Sequence, residues 1–318
     1  MYTSIVVPLD GSVFGNSALP IAVALARRSD AALHLIHVHD SVSISEAGPF
    51  GALLLDNDEP RRRAEFEGVA TRLAHAGALR VTAEFLDGPV VPTLQRYLED
   101  GRHDLVVLMS HGRGGLRRTW LGSVADGLIR HASVPLLLLR EETASVEAVE
   151  PLFRRVIVPL DGSAMAEGVL DDVVALGTTD VTEYVILTVI APHRDDKPPS
   201  SDIVIPVGRS YDEQQRDAAF GYLNGVAADL RSTGAVVTVR VEVHEQCAQG
   251  ILDTADEHHV DLIALSTHGL GGLSRLVHGS VADKVIRGAT TAVLVHHPST
   301  RGVASAVTAG TMASAARR

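Results

Sequence analysis

The segment YTSIVVPLDGS at residues 2–12 returns, little changed, as FRRVIVPLDGS at residues 153–163. Two further pairs of segments match in the same order: LHLIHVHD with EYVILTVIAP, and HDLVVLMSHG with VDLIALSTHG. The offset is 151 residues at the first two matches and 157 at the third, which places a six-residue insertion in the second copy. Self-similarity of this kind indicates two copies of one structural unit.

Each copy alternates short apolar runs with patterns typical of helices. In the first copy the apolar runs lie at 5–9, 33–38, 81–86, 105–109 and 135–139, and they lack the polar alternation of a half-exposed sheet. Such runs are typical of strands buried on both faces. Alternating strands and helices imply right-handed crossovers. We therefore predict an α/β fold with two tandem, doubly wound, open parallel sheets of five strands each, in the order 3-2-1-4-5 and Rossmann-like.

The chain of 318 residues is long enough for two domains. We expect one domain over 1–140, a linker over 141–152 and a second domain over 153–297. The linker EETASVEAVEPL is acidic and has no apolar period. The remaining segment, 298–318, is rich in Ala, Ser, Thr and Gly, and we expect it to be disordered.

Composition excludes several classes of partner. The net charge of −11 repels nucleic-acid phosphates and anionic membrane surfaces, so we expect neither as a partner. A single cysteine, Cys247, cannot form an internal disulfide, which favours a reducing compartment. The N-terminus lacks the pattern of a signal peptide, and no apolar run approaches the ~20 residues that span a bilayer. We therefore predict a cytoplasmic protein.

A glycine-rich loop follows the fourth strand of each copy. It reads SHGRGGLRRTWLGSVADGLIR from Ser110 and THGLGGLSRLVHGSVADKVIR from Thr267. Glycines let main-chain amides approach a ligand, and Gly122-Ser123 stands where a helix begins, with Ser123 predicted as its N-cap. A helix start attracts anions, so we predict a phosphate cradle. Neither GxxxxGK[ST] nor a complete GxGxxG occurs, which argues against a Walker NTPase and a dinucleotide-binding protein.

An aspartate follows the first strand of each copy, Asp10 in one and Asp161 in the other. Because strands 1 and 4 are neighbours in the predicted order, both aspartates would face the same crevice as the loops. A carboxylate there accepts hydrogen bonds from ribose hydroxyls. A turn-forming role in Asp-Gly-Ser is the alternative, but its recurrence in both copies favours binding. His111 and His268 each precede a glycine and are interpreted as structural, and no metal site is predicted.

With these features both halves resemble universal stress protein domains, and the chain resembles a tandem, two-domain member of the ATP-binding subclass of that family. The resemblance covers roughly 1–140 and 153–297 and rests on the nucleotide motif Gly-x2-Gly-x9-Gly-Ser/Thr. The motif reads MSHGRGGLRRTWLGS in the first half and STHGLGGLSRLVHGS in the second. Met109 and Ser266 stand where the first glycine belongs. If that position needs close main-chain approach, binding weakens there, more so with the bulkier Met109.

The resemblance implies ATP as the ligand, with any Mg²⁺ carried by its phosphates. Asp10 and Asp161 would contact the ribose, and the main chain of Val38 and Val189 would pair with adenine. The implied ATP-binding positions are Pro8, Asp10, Val38, Met109, Gly112, Gly115, Gly122, Ser123 and Val124 in the first half and Pro159, Asp161, Val189, Ser266, Gly269, Gly272, Gly279, Ser280 and Val281 in the second. Family members also pair two domains through their last strands, which a tandem chain supplies internally. A further homodimer and an unidentified protein partner stay open.

Three functions fit these features. In the leading hypothesis ATP is a regulatory ligand of a stress-response protein and changes its stability or its partner surface. The alternative is a slow ATPase or nucleotidyl transferase in the same cleft, although no base is assigned, and Asp126 and Asp283 lie one turn into their helices. The third is an interaction module without nucleotide, which the missing first glycines favour.

Overall fold

The computed structural model describes residues 1–40, 59–77, 79–110, 121–141, 151–178, 180–192, 211–267 and 280–297. The strands in these ranges are β1 Ser4–Pro8, β2 Ala32–His39, β3 Val81–Asp87, β4 Leu105–Met109, β5 Leu136–Leu139, β6 Arg155–Pro159, β7 Glu183–Ile190, β8 Val236–Val243, β9 Leu262–Ser266 and β10 Ala292–His296. The helices are α1 Val13–Asn16, α2 Leu19–Ser29, α3 Glu59–Gly77, α4 Val90–Asp100, α5 Ser123–His131, α6 Ala164–Glu167, α7 Val169–Leu176, α8 Tyr211–Ser232, α9 Cys247–Glu257 and α10 Ser280–Gly288.

The strands form one sheet in the order β3-β2-β1-β4-β5-β10-β9-β6-β7-β8. Within each half the neighbouring strands are parallel and follow the predicted order 3-2-1-4-5, so that prediction is confirmed. The two five-stranded units are joined edge to edge, because β5 and β10 pair antiparallel with Leu137 opposite Leu294. The last strands therefore pair within one chain, as the resemblance implied.

Helices cover both faces of the sheet, and each face has its own apolar core. Face A carries α2, α3, α7 and α8, and face B carries α4, α5, α9 and α10. Successive side chains of a strand point to opposite faces, so Val107 and Met109 of β4 enter the core of face A and Leu108 enters that of face B. Each core runs through both halves of the molecule. Burial on both faces explains the continuous apolar runs of the strands.

Polar contacts add to the β5–β10 pairing where the halves meet. The buried Arg140 side chain donates to the carbonyl of Ile286, and the buried His297 Nε2 donates to the carbonyl of Ile129 at 2.8 Å. Arg28 donates to the carbonyl of Leu176 at 2.6 Å. Each half thus satisfies main-chain carbonyls of the other, which fixes their relative orientation.

No helix in the part of the chain that the structure describes combines the length and the apolar character needed to cross a membrane.

Candidate functional site

The candidate site lies at the carboxyl edge of the sheet, where β1 and β4 are neighbours. Crevices at this edge, where the strand order reverses, are the usual ligand sites of open parallel sheets. A cavity of about 250 Å³ opens here in the first half. Its lining residues are Pro8, Leu9, Asp10, Gly15, Ile36, Val38, Val90, Leu94, Leu108, Met109, Gly122, Ser123, Val124 and Ala125.

Most positions predicted in the first half lie on this one cavity. They are Pro8, Asp10, Val38, Met109, Gly122, Ser123 and Val124. Gly112, Gly115 and His111 lie outside the described residues. The sequence interpretation missed the apolar wall from Ile36, Val90 and Leu94, although the apolar period of α4 was a signal for it.

Asp10 is held by a short turn after β1. Its Oδ1 accepts hydrogen bonds from the amide and the hydroxyl of Ser12, at 2.9 and 2.6 Å. The Ser12 hydroxyl in turn accepts from the amide of Gly15 at 2.9 Å and caps α1. Gly11 has φ +76°, a conformation that favours glycine, and it makes the turn possible. Among the described residues no hydrogen bond to Asp10 Oδ2 is found, so this oxygen can accept from a ligand.

The second half repeats the turn. Asp161 Oδ1 accepts from the amide and the hydroxyl of Ser163 at 3.0 and 2.6 Å, and the Ser163 hydroxyl accepts from the amide of Ala166 at 3.1 Å. Gly162 has φ +85°, close to the value at Gly11. The two turns therefore share one pattern of hydrogen bonds around Oδ1 of the aspartate and the serine hydroxyl.

The start of α5 provides amides at the rim of the cavity. Gly122 is extended, with φ −62° and ψ 151°, and its amide donates to the Ser110 carbonyl at 2.7 Å. The carbonyl of Gly122 accepts the first intrahelical hydrogen bond, from the Asp126 amide at 2.8 Å, so Gly122 is the N-cap and Ser123 the first helical residue. The prediction of Ser123 as N-cap is wrong. Gly122 itself has no side chain with which to cap α5. Because the first amides of a helix have no partner within it, those of Ser123 and Val124 are suited to bind an anion.

Met109 does not fill the cavity with its side chain. The side chain is 7% exposed and belongs to the core of face A, beside Val107 and Leu139. Leu108, which precedes it, points to face B and supplies part of the cavity wall. This alternation leaves the end of β4 at the rim while the thioether packs on the opposite face. Met109 thus lines the cavity while its side chain also packs in the core of face A.

The second-half positions occupy the corresponding edge. β6 and β9 are neighbours there, as β1 and β4 are in the first half. Pro159 and Ser266 end these two strands, Val189 lies near the end of β7, and Ser280 begins α10 with Val281. Gly269, Gly272, Gly279 and His268 lie outside the described residues. The Ser266 hydroxyl is buried and finds no hydrogen-bond partner among the described residues.

The two acidic residues inside the helices form ion pairs. Asp126 contacts Arg130 at 2.9 Å and Arg287 of the other half at 2.7 Å, while Asp283 contacts Arg287 at 2.9 Å. Burial acts to raise the pKa of Asp126, but the guanidinium groups of Arg130 and Arg287 outweigh it and hold the pKa below its ordinary value. An ionised carboxylate committed to two arginines is poorly suited to act as a general base.

Two further side chains, His37 on β2 and Thr188 on β7, touch the main chain just before the aspartates, and the sequence interpretation missed them. His37 Nδ1 lies 2.8 Å from the carbonyl oxygen of Leu9, and Thr188 Oγ1 lies 2.8 Å from that of Leu160. The available signal was their equivalent position in the repeat, 151 residues apart. Among the described residues no group of three or more His, Cys, Asp or Glu is placed to hold a metal ion.

The fold and this edge define the class: a tandem, doubly wound α/β protein with a crevice at the strand-order reversal. The model of the universal stress protein family matches residues 1–140 and 152–297. A universal stress protein of Mycolicibacterium smegmatis is 28% identical over 305 residues, covering 92% of this chain and 97% of the relative. One of Mycobacterium tuberculosis is 27% identical over 303 residues, covering 93% and 97%. The chain belongs to the universal stress protein family, with its domain present twice.

A solved structure has the same fold. The crystal structure of a universal stress protein from Archaeoglobus fulgidus matches with a TM-score of 0.68 at 19% identity, covering 92% of this chain and 98% of that one. Both halves are therefore matched together in one known arrangement.

Proposed function

We propose that the chain binds ATP at the carboxyl edge of each half, as a regulatory ligand in a stress response. The observation that carries the proposal is the cavity beside Asp10, which is bordered by the start of α5, where the N-cap is a glycine. A carboxylate and a helix start on one cavity suit a ligand with hydroxyl groups at one end and negative charge at the other.

The cavity fits the nucleoside part of ATP. Its volume of about 250 Å³ lies just below the ~300–1,000 Å³ typical of small-molecule sites. Ile36, Val38 and Leu94 supply an apolar wall for a flat ring. Asp10 Oδ2 accepts from a ribose hydroxyl, since Oδ1 is held by Ser12.

The phosphates then extend toward the exposed Ser123 at the start of α5. Here the amides of Ser123 and Val124 donate to phosphate oxygens, and the positive end of the helix dipole adds to the attraction. Met109 lines the cavity beside them, with its side chain packed in the core of face A. ATP bound in this manner needs no lysine from the cavity lining.

The place of the site in the fold supports a regulatory role. The helix α5 that receives the phosphates also carries Asp126 and Ile129, which contact the other half. A ligand that binds only the folded state stabilises it by about 2.7 kcal/mol at a hundredfold excess over Kd. ATP would thus stabilise α5 and its contacts across the β5–β10 pairing.

The experiment is a thermal unfolding series with ATP. At a hundredfold excess over Kd we expect the melting temperature to rise by about 5–10 °C, because 1 kcal/mol corresponds to about 2–4 °C in domains of this size. Asp10→Ala combined with Asp161→Ala abolishes the rise. Asp87→Ala, which removes an exposed carboxylate at the same edge but outside the cavity, keeps it. Absence of any rise in the parent protein would refute the proposal, and steady phosphate release above the level of the double variant would replace it with hydrolysis.

A further inference from the structure

Leu9 and Leu160 precede the two candidate ribose-binding aspartates, and each forms hydrogen bonds through both its main-chain amide and its carbonyl. The amide of Leu9 donates to the Ile36 carbonyl at 2.8 Å, and the Leu9 carbonyl accepts from His37 at 2.8 Å. Since a carbonyl can only accept, Nδ1 of His37 carries the proton. Leu9 is thus fixed by two consecutive residues of β2.

The second half holds its leucine in the same way with a different side chain. The amide of Leu160 donates to the Leu187 carbonyl at 2.8 Å, and the Thr188 hydroxyl donates to the Leu160 carbonyl at 2.8 Å. Histidine and threonine share neither size nor shape. They share a hydrogen-bond donor at equivalent positions of the two halves, and each donor reaches the carbonyl of the leucine that precedes the aspartate.

The environment of His37 keeps its ring in one place. The side chain is 8% exposed and stacks on Phe85, with ring centroids 4.6 Å apart, and Phe66 of α3 lies on another side at 5.9 Å. A ring held by two aromatic neighbours loses little further freedom when it donates to Leu9. The carbonyl of Leu9 is therefore fixed by a rigid group.

The turn beyond each leucine is rigid as well. Asp10 Oδ1 is held by Ser12, and Gly11 adopts its left-handed conformation directly after. With Leu9 held on one side and Ser12 on the other, the direction of the Asp10 carboxylate depends on both. Fixing Leu9 is thus a way to aim Asp10 Oδ2 into the cavity.

We propose that His37 and Thr188 are positioning residues of the two nucleotide sites, each acting through the leucine carbonyl on the ribose-binding aspartate. This inference rests on the proposed function, because it concerns how the same sites hold ATP. A purely structural role would change stability alone, whereas a positioning role changes affinity for ATP as well.

The second site is tested in the Asp10→Ala variant, in which ATP binding is expected only at the site of Asp161. Thr188→Val removes the hydroxyl while keeping the shape, and we expect ATP affinity, measured by calorimetry, to fall about tenfold. Thr188→Ser restores a donor and returns the affinity to within about threefold of the background protein. The matched control is Thr182→Val, which deletes a buried hydroxyl bond to the Phe153 carbonyl at 2.8 Å, at the opposite edge of the sheet. It lowers the melting temperature and leaves the affinity unchanged.

The first site is tested in an Asp161→Ala background with two substitutions of equal size. His37→Thr places the donor of the second half on β2, and His37→Val places the same shape without a donor. We expect the threonine variant to bind ATP about tenfold more tightly than the valine variant.

The outcomes separate the two proposals. If both backgrounds bind no ATP, the proposed function and this inference fall together. If both bind, and the valine variants bind as tightly as the variants that keep a donor, the inference alone is overturned.

Discussion

The two halves of the chain differ in residue type at positions where they agree in hydrogen bonding. His37 and Thr188 donate to the carbonyls of Leu9 and Leu160. At the contact between the halves, Arg140 donates to the Ile286 carbonyl and its counterpart His297 donates to the Ile129 carbonyl. What the repeat preserves at these places is a donor for a given main-chain group, so residue identity underestimates the likeness of the halves.

Other positions show a real difference between the halves. His34 and His103 face each other in the first half with ring centroids 5.0 Å apart. The equivalent positions in the second half are Val185 and Val260, which belong to the core of face B. The first half thus has two titratable rings where the second has only apolar contacts. Substitutions at these positions test whether the two halves differ in stability and in their response to pH.

The largest effect is expected where the halves are most alike, at the β5–β10 pairing. Leu137 and Leu294 lie opposite each other and are both fully buried. We expect Leu137→Ala and Leu294→Ala to lower the free energy of unfolding by similar amounts, about 2–5 kcal/mol, in urea titrations. Val243→Ala on the exposed part of β8 serves as control, with a change within about 0.5 kcal/mol. Losses below 1 kcal/mol at both leucines would show that this pairing contributes little.

The histidine pair predicts a pH response of the first half. Burial lowers the pKa of His34, and burial together with His34 lowers the pKa of His103. In the unfolded chain the pKa of histidine is about 6.5, so below this pH the unfolded chain binds more protons than the folded protein. The stability of the folded protein is therefore present above about pH 6.5 and decreases as the pH falls below it. We expect His34→Val with His103→Val to reduce the drop in melting temperature between pH 7.5 and 5.5 by a few degrees.

Two features make this pH experiment specific. His37 remains in the double variant, and burial lowers the pKa of His37 too, so part of the drop persists. Val185→Ala, at the position of the second half equivalent to His34, provides the control, since it removes no titratable group and leaves the drop as in the parent. An undiminished drop in the double variant contradicts the assignment of the response to the pair.

A smaller effect is expected from the arginines near the contact between the halves. Arg287 pairs with Asp283 and with Asp126 across the contact, whereas Arg130 pairs with Asp126 in its own half. Both arginine side chains are partly exposed, so each pair contributes only about 0.2–1 kcal/mol. We expect Arg287→Ala to cost more than Arg130→Ala in urea unfolding, with the difference shrinking in high salt. Equal losses would contradict a contribution from the contact between halves.

Much of the fold followed from local patterns. Continuous apolar runs and the repeat predicted β1, β2, β4 and the strand order, because burial on both faces leaves a clear trace in the sequence. The cap of α5 was predicted one residue too late. Glycine and serine both serve as N-caps, and Gly122 is the cap here because its carbonyl accepts from the Asp126 amide at 2.8 Å.

The candidate site was predictable in part for the same reason. Asp10 and Ser123 were found because they recur next to strand and helix ends, and the structure brings them to one cavity. The roles of His37 and Thr188 escaped because their partner is a main-chain carbonyl on a neighbouring strand, and unlike side chains meet it. The direction of Met109 depends on the register of β4 against both cores.

The measurement that tests the central claim most directly is the number of ATP molecules bound per chain, determined by native mass spectrometry. We expect two in the parent protein, one after either Asp10→Ala or Asp161→Ala, and none when both are changed. A parent protein that binds no ATP, or a double variant that still binds two, contradicts it.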